Sequence, residues 1–138
     1  MKLKVVLDEG AICPSVAHEH DAGYDLYSRE DAVIYPNTRR LFDIGVHMAI
    51  PAGYEGHIRS RSGMMVKKGC LTDGTIDSGF RGSIGVILFN LSEKLVEIKR
   101  GDRIAQIVIE PVITPKLEVV DALDETERGT NGFGSSGE

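Results

Sequence analysis

Residues 83–113 read "SIGVILFNLSEKLVEIKRGDRIAQIVIEPVI". Three apolar, β-branched runs lie in this stretch: "SIGVILFNL" (83–91), "KLVEIK" (94–99) and "RIAQIVIEPVI" (103–113), the last two separated by the turn former "KRGD". Such runs bounded by turn residues are strand signals. The same grammar extends towards the N-terminus, with "KLKVVL" (2–7), "AVIY" (32–35) and "LFDIGVHMAI" (41–50) set among "DAGYD", "YPNTR", "IPAGYEG" and "LTDGT". Many short strands at close spacing predict an all-β fold, a sandwich, jelly roll or barrel. At 138 residues the chain suffices for one core, and no fixed-period repeat or second domain is visible.

Composition narrows the partners. An apolar fraction of 41% with 27% charged residues is that of an ordinary globular protein. No apolar run approaches membrane-spanning length, and "MKLKVVLDEG" lacks the stretch of a signal peptide, so neither a membrane nor export is expected. Cys13 and Cys70 show no CxxC or scaffold spacing. They read as free thiols of the cytoplasm or another reducing compartment. A net charge of −5 disfavours duplex nucleic acid as a partner. A small anion remains compatible, because local arginines and backbone N–H groups outweigh the total charge.

One stretch departs from the strand pattern. "RSRSGMMVKKGC" (59–70) predicts a short helix capped by Ser62, ended by Gly69, with Lys67 and Lys68 in its last turn. Arg59 and Arg61 directly before it outline an anion site, or else two solvated arginines beside a cap. Asp73-Gly74 is a hairpin signal. Asp77, between Ile76 and Phe80, is a candidate general base tuned by partial burial, or a turn aspartate bonding its own backbone. Asp25 in "DAGYDLYS" (21–28) is a candidate for holding Mg²⁺ through water, or a strand-end residue facing solvent. Period two puts Gln106 on one face with Ile104 and Val108, where a half-buried amide requires a ligand or protein partner. "HEHD" (18–21) offers alternating imidazoles without a third ligand at zinc spacing, and Arg100-Gly101-Asp102 is only a tripeptide match. No Ser-His-Asp set, P-loop or Rossmann fingerprint is present.

Five stretches together resemble the homotrimeric dUTP diphosphatase (dUTPase) family: "AGYDLYS", "RSRSGM", "GTIDSGFRG", "GDRIAQIVI" and "RGTNGFGSSG". They stand in the family's order and spacing from about Ala22 to Gly137. The resemblance implies a β-jelly roll over 1–123, a flexible C-terminal lid over 124–138, and a trimer with active sites at subunit interfaces. It implies hydrolysis of dUTP to dUMP and pyrophosphate with Mg²⁺. Carried over, Asp77 is the base that activates water, and Asp25 engages the metal through water. Arg61, Ser62, Gly63 and Gln106 bind phosphates, while the backbone of Gly74, Thr75 and Ile76 meets the nucleoside and the Phe80 ring excludes ribose. Arg128 clamps the terminal phosphate, Phe133 covers the uracil, and Gly134, Ser135 and Ser136 wrap the triphosphate. The glycines suit a lid, whose backbone must approach phosphate oxygens and also let go.

Three positions depart from the family pattern. Phe80 replaces a usual tyrosine, Asn131 replaces a glycine, and Ser60 stands where a proline commonly stiffens the turn before Arg61. Two rival readings share the fold. A dCTP deaminase also carries an Asp-x-Gly-aromatic hairpin, like "DSGF", but needs a glutamate on the following strand, which "SIGVILFN" lacks. A non-catalytic nucleotide-binding regulator has less need of a base such as Asp77.

Overall fold

The computed structural model describes residues 1–137. The described residues form β1 (Lys4–Leu7), β2 (Tyr24–Tyr27), β3 (Ala32–Ile34), β4 (Arg39–Asp43), β5 (Val46–Ala49) and β6 (Tyr54–Arg59). Helix α1 (Ser62–Lys68) follows, then β7 (Cys70–Leu71), β8 (Asp73–Ile76), β9 (Gly85–Asn90), β10 (Val96–Ile98) and β11 (Arg103–Pro111). All pairings are antiparallel, in sheets ordered β1-β5, β10-β3, β2-β11-β6-β8 and β4-β9-β7. The all-β jelly-roll expectation with one short helix holds.

Alternation explains the core. In β9, Val86, Leu88 and Asn90 point inward while Ile87 and Phe89 point outward. With Leu26, Phe42, Ile44, Ile50, Ile84, Ile104 and Ile107 they join one buried cluster, each apolar side chain contributing about 1.5–3 kcal/mol of transfer free energy. Asn90 is the polar exception. Its Nδ2 donates to the Ile34 and Lys94 carbonyls and its Oδ1 accepts from Ser92, so no polar atom of that amide is stranded.

Four local expectations change. The run 41–50 is two strands, because Gly45 at φ 71° turns the chain between β4 and β5. "IPAGYEG" yields its turn only as far as Gly53. Tyr54 starts β6, whose polar outer residues Glu55 and His57 disguise a strand that buries Gly56 and Ile58. Asp73-Gly74 is not a hairpin turn but part of β8, paired with Arg59 and Ile58. Ser62 is the first helical residue rather than the cap. Arg61 takes the cap position without a side-chain cap bond, while Gly69 ends the helix left-handed as expected.

Candidate functional site

The sheet β2-β11-β6-β8 carries the site on the face turned away from the core. Asp25 of β2, Gln106 of β11 and Arg59 of β6 lie opposite one another in register. Asp25 does not face solvent. It is 8% exposed and its charge is compensated by two arginines. Arg61 Nε donates to Asp25 Oδ1 at 3.0 Å, and Arg103 Nε lies 3.5 Å from Oδ2.

Arg103 reaches Asp25 because of a bulge. The β2–β11 ladder pairs Gln106 with Asp25 and Ala105 with Leu26, then shifts so that Arg103 faces Tyr27. The extra residue reverses the parity of β11. Ile104 therefore enters the core beside Ala105, and Gln106 does not share its face; Arg103 does share the face of Gln106. No sequence period could anticipate this, and Arg103 was missed for that reason.

Gln106 is half-buried, and its Nε2 donates to the Ser60 carbonyl at 3.1 Å. Its other neighbour is Gly23, also unforeseen. A Cβ at Gly23 would sit 2.7 Å from Gln106 Oε1 and 3.3 Å from the Ile107 carbonyl oxygen, so a side chain there would push the Gln106 amide out of its place. Ser60 needs no proline to hold its turn: Oγ donates to the Thr72 carbonyl and accepts from the Thr72 N–H, both at 2.8 Å. Gly23, Asp25, Arg61, Ser62, Arg103 and Gln106 line a cleft of about 310 Å³, and Gly63 lies in an adjoining one with Lys67 and Lys68. Arg59 is not part of it, being bonded to Glu110. "HEHD" is a bend and turn rather than a strand, with His18 bonded to Asp21.

Asp77 stands elsewhere. It is exposed at the end of β8, in a depression of about 330 Å³ shared with Tyr54, Glu55 and Ser78. From Asp73, level with Gln106, it is four residues along β8 and two strands across. At about 3.3 Å per residue and 4.8 Å per strand, Asp77 and Gln106 are roughly 15–20 Å apart. Within one chain, then, Asp77 does not share a cleft with Asp25, Arg61 and Gln106. Ile76 is buried and Thr75 exposed, and β8 is the edge strand of its sheet, paired on one side only with β6.

The loop after Asp77 is well tied. Phe80 N–H donates to the Asp77 carbonyl, and Arg81 Nη1 donates to the Ser78 and Phe80 carbonyls. His47 bonds the Arg81 carbonyl through Nδ1 at 2.7 Å and Asp8 through Nε2 at 2.9 Å. Both partners are acceptors, which favours the imidazolium, and the Arg81 carbonyl followed by Asp8 raises the His47 pKa.

Among the described residues no strand follows Pro111, and Arg128, Phe133, Gly134, Ser135 and Ser136 are all exposed. The side chains of this C-terminal segment bond only locally, Arg128 Nε donating to the Asn131 carbonyl. Of the expected lid, Glu138 lies outside the described residues. Both cysteines are free, Cys70 buried with its thiol pKa pushed up by burial. Among the described residues no helix is long and apolar enough to cross a membrane.

Comparison with known proteins bears on this arrangement. The dUTPase family pattern matches residues 9–137. The deoxyuridine 5'-triphosphate nucleotidohydrolase of Clostridium novyi (strain NT) is 48% identical over 99% of this chain and 99% of its own. That of Clostridium tetani (strain Massachusetts / E88) is 44% identical over 99% and 96%. The solved Staphylococcus bacteriophage 80alpha dUTPase with dUPNHPP superposes with a TM-score of 0.92 at 33% identity, covering 99% of each chain. A mutant dUTPase from phage phi11 of S. aureus superposes at 0.83 with 31% identity over 88% of this chain and 98% of its own, and is described as revealing coordination of a structural Mg(II) ion. With full-length relatives and a matching pattern from residue 9 onward, the chain belongs to the dUTPase family.

Proposed function

We propose that this chain is a dUTP diphosphatase that uses Asp77 as general base, in active sites assembled from three copies. The enzyme hydrolyses dUTP to dUMP and pyrophosphate, in keeping with its family and the names of its relatives. The observation that carries the shared site is the separation within one chain. A base must approach its water to about 3 Å, whereas Asp77 stands roughly 15–20 Å from Gln106. The base of one copy and the Asp25–Arg61–Gln106 cleft of another can meet on one triphosphate.

Apolar surface supports assembly. Leu41 and Ile87, paired across β4 and β9, are exposed beside Phe89 and Leu71. Ile113, Leu117, Val119 and Leu123 are almost wholly exposed. A contiguous patch and an apolar arm of this kind mark contact surfaces. The body over 1–123 and lid over 124–138 are part of this reading; among the described residues the last strand ends at Pro111, and 112–123 is the arm that leads to the lid.

In this reading Arg61, Ser62, Gly63 and Gln106 hold the phosphates. The backbone of Gly74, Thr75 and Ile76 pairs with the uracil edge, leaving cytosine unpaired, and the Phe80 ring excludes ribose. Arg128 grips the terminal phosphate, Phe133 covers the base, and Gly134, Ser135 and Ser136 close around the chain of phosphates. A divalent ion serves the family, and Mg²⁺ is the ion proposed here. Asp25 suits it as a hard oxygen donor at the wall of the cleft, reached through water. The ion spreads charge on the triphosphate when bound. Asp77 takes the proton from the attacking water, and Arg61 turns from Asp25 to phosphate while Arg103 keeps Asp25 compensated. A reducing compartment is proposed from the two free thiols.

The test is to incubate the purified protein with dUTP, dCTP, dTTP and UTP plus Mg²⁺. Pyrophosphate from dUTP alone is expected. Ammonia from dCTP would favour the deaminase, and binding without turnover the regulator. Asp77→Asn is expected to retain dUTP binding while turnover falls by several powers of ten, beyond the ~10²–10⁴ of simple general-base loss. Near-normal turnover of Asp77→Asn removes it from the role.

A further inference from the structure

A second charged cluster occupies the middle of the same sheet face. Glu55 and Glu110 are direct cross-strand partners on β6 and β11, where two like charges repel. His57, two residues along β6, brings Nδ1 to 3.0 Å from Glu110 Oε1. Ligand atoms from Glu55, His57 and Glu110 all lie within 4.8 Å of one another, on half-buried side chains.

The surroundings are those of a metal-binding imidazole. On its far side, His57 Nε2 lies 2.8 Å from Asp73 Oδ1, the carboxylate–histidine pairing that fixes the tautomer of metal-bound histidines. In the neutral tautomer that keeps its proton on Nε2 towards Asp73, the Nδ1 lone pair accepts from Arg59 Nε at 3.3 Å. That tautomer sets the Nδ1 lone pair 3.0 Å from Glu110 Oε1, two acceptors that a proton or a metal ion between them reconciles. Arg59 Nη2 holds the other oxygen of Glu110 at 2.8 Å. Three carboxylates and one guanidinium leave the neutral-imidazole cluster two negative charges in excess.

We propose that Glu55, His57 Nδ1 and Glu110 bind a divalent first-row transition-metal ion of the zinc type, with Asp73 orienting the imidazole. Imidazole with carboxylates suits this class, whereas Mg²⁺ prefers an all-oxygen shell. The ion braces β6 to β11, and Asp73 extends the clasp to β8. These strands lead to Arg61, Gln106 and Asp77, so the brace lies between the parts of the site. The inference does not depend on the reaction assigned above.

The test uses the full-length protein stripped by chelator, without nucleotide. A Cys13→Ser/His18→Gln/His20→Gln background removes the exposed competing ligands. Zn²⁺ equilibrium dialysis and Co²⁺ visible absorption are expected to give one ion per chain. His57→Gln should weaken binding at least 100-fold. Asp73→Asn, a change at a mostly exposed side chain, should weaken it about 10–100-fold and settles the matter if His57→Gln does not fold. Asp25→Asn should leave binding unchanged. The proposal is overturned by absence of saturable Zn²⁺ binding, by binding that survives both His57→Gln and Asp73→Asn, or by binding that Asp25→Asn abolishes.

Discussion

Replacing Gly23 with alanine tests whether the phosphate-side cleft is held as described. The added Cβ would stand 2.7 Å from Gln106 Oε1, 3.3 Å from Gln106 Cβ and 3.3 Å from the Ile107 carbonyl oxygen. The amide can rotate away, but the Ile107 carbonyl belongs to a strand paired on both edges and has little room to move. Rotation costs the bond to the Ser60 carbonyl, about 0.5–1.5 kcal/mol, and residual overpacking adds about 1–3 kcal/mol. A loss of about 2–4 kcal/mol lowers the melting temperature of a domain this size by roughly 6–15 °C. If Gln106 contacts phosphate as proposed, a displaced amide also forfeits a charge-assisted bond there, about 10–100-fold in kcat/KM for dUTP. Thermal melting and steady-state kinetics of Gly23→Ala, Gln106→Ala and the double variant give a cycle, in which the two changes should couple by about 1 kcal/mol or more. Melting within about 2 °C of wild type, with kcat/KM within twofold, would refute the reasoning.

Other consequences follow from the same geometry. Asp25→Asn removes the charge between Arg61 and Arg103; since both arginines are partly solvated, stability should fall by only about 1–3 kcal/mol. The concentration of divalent ion needed for half-maximal rate should rise at least about tenfold, and an unchanged metal titration argues against Asp25 in that role. For His47, the folded-state pKa is raised above the ordinary 6.5, so its contribution is complete below that pH and fades as pH climbs through the raised value. The melting difference between wild type and His47→Gln should be largest near pH 6 and shrink towards pH 9; a difference that grows with pH contradicts this. Tail residues bonded only among themselves should be cut early by protease in the free protein and protected with a non-hydrolysable dUTP analogue. Equal cleavage in both states counts against a closing lid.

Local chemistry made much of this molecule legible in the letters. Alternation within 83–113 located β9, β10 and β11, Gly69 ended the helix where it should, and five ordered stretches indicated the family. Each signal depends on a residue and its near neighbours in the chain. The failures are those where a partner strand decides. β6 hides because polar His57 finds partners on β8 and β11, and Asp73-Gly74 is a strand because Arg59 and Ile58 lie opposite. One bulged residue in β11 set which side chains face the cleft. Register, unlike composition, is fixed by packing across strands distant in sequence, so tertiary structure alone placed Arg103 on Asp25, fitted Gly23 against Gln106 and separated Asp77 from both.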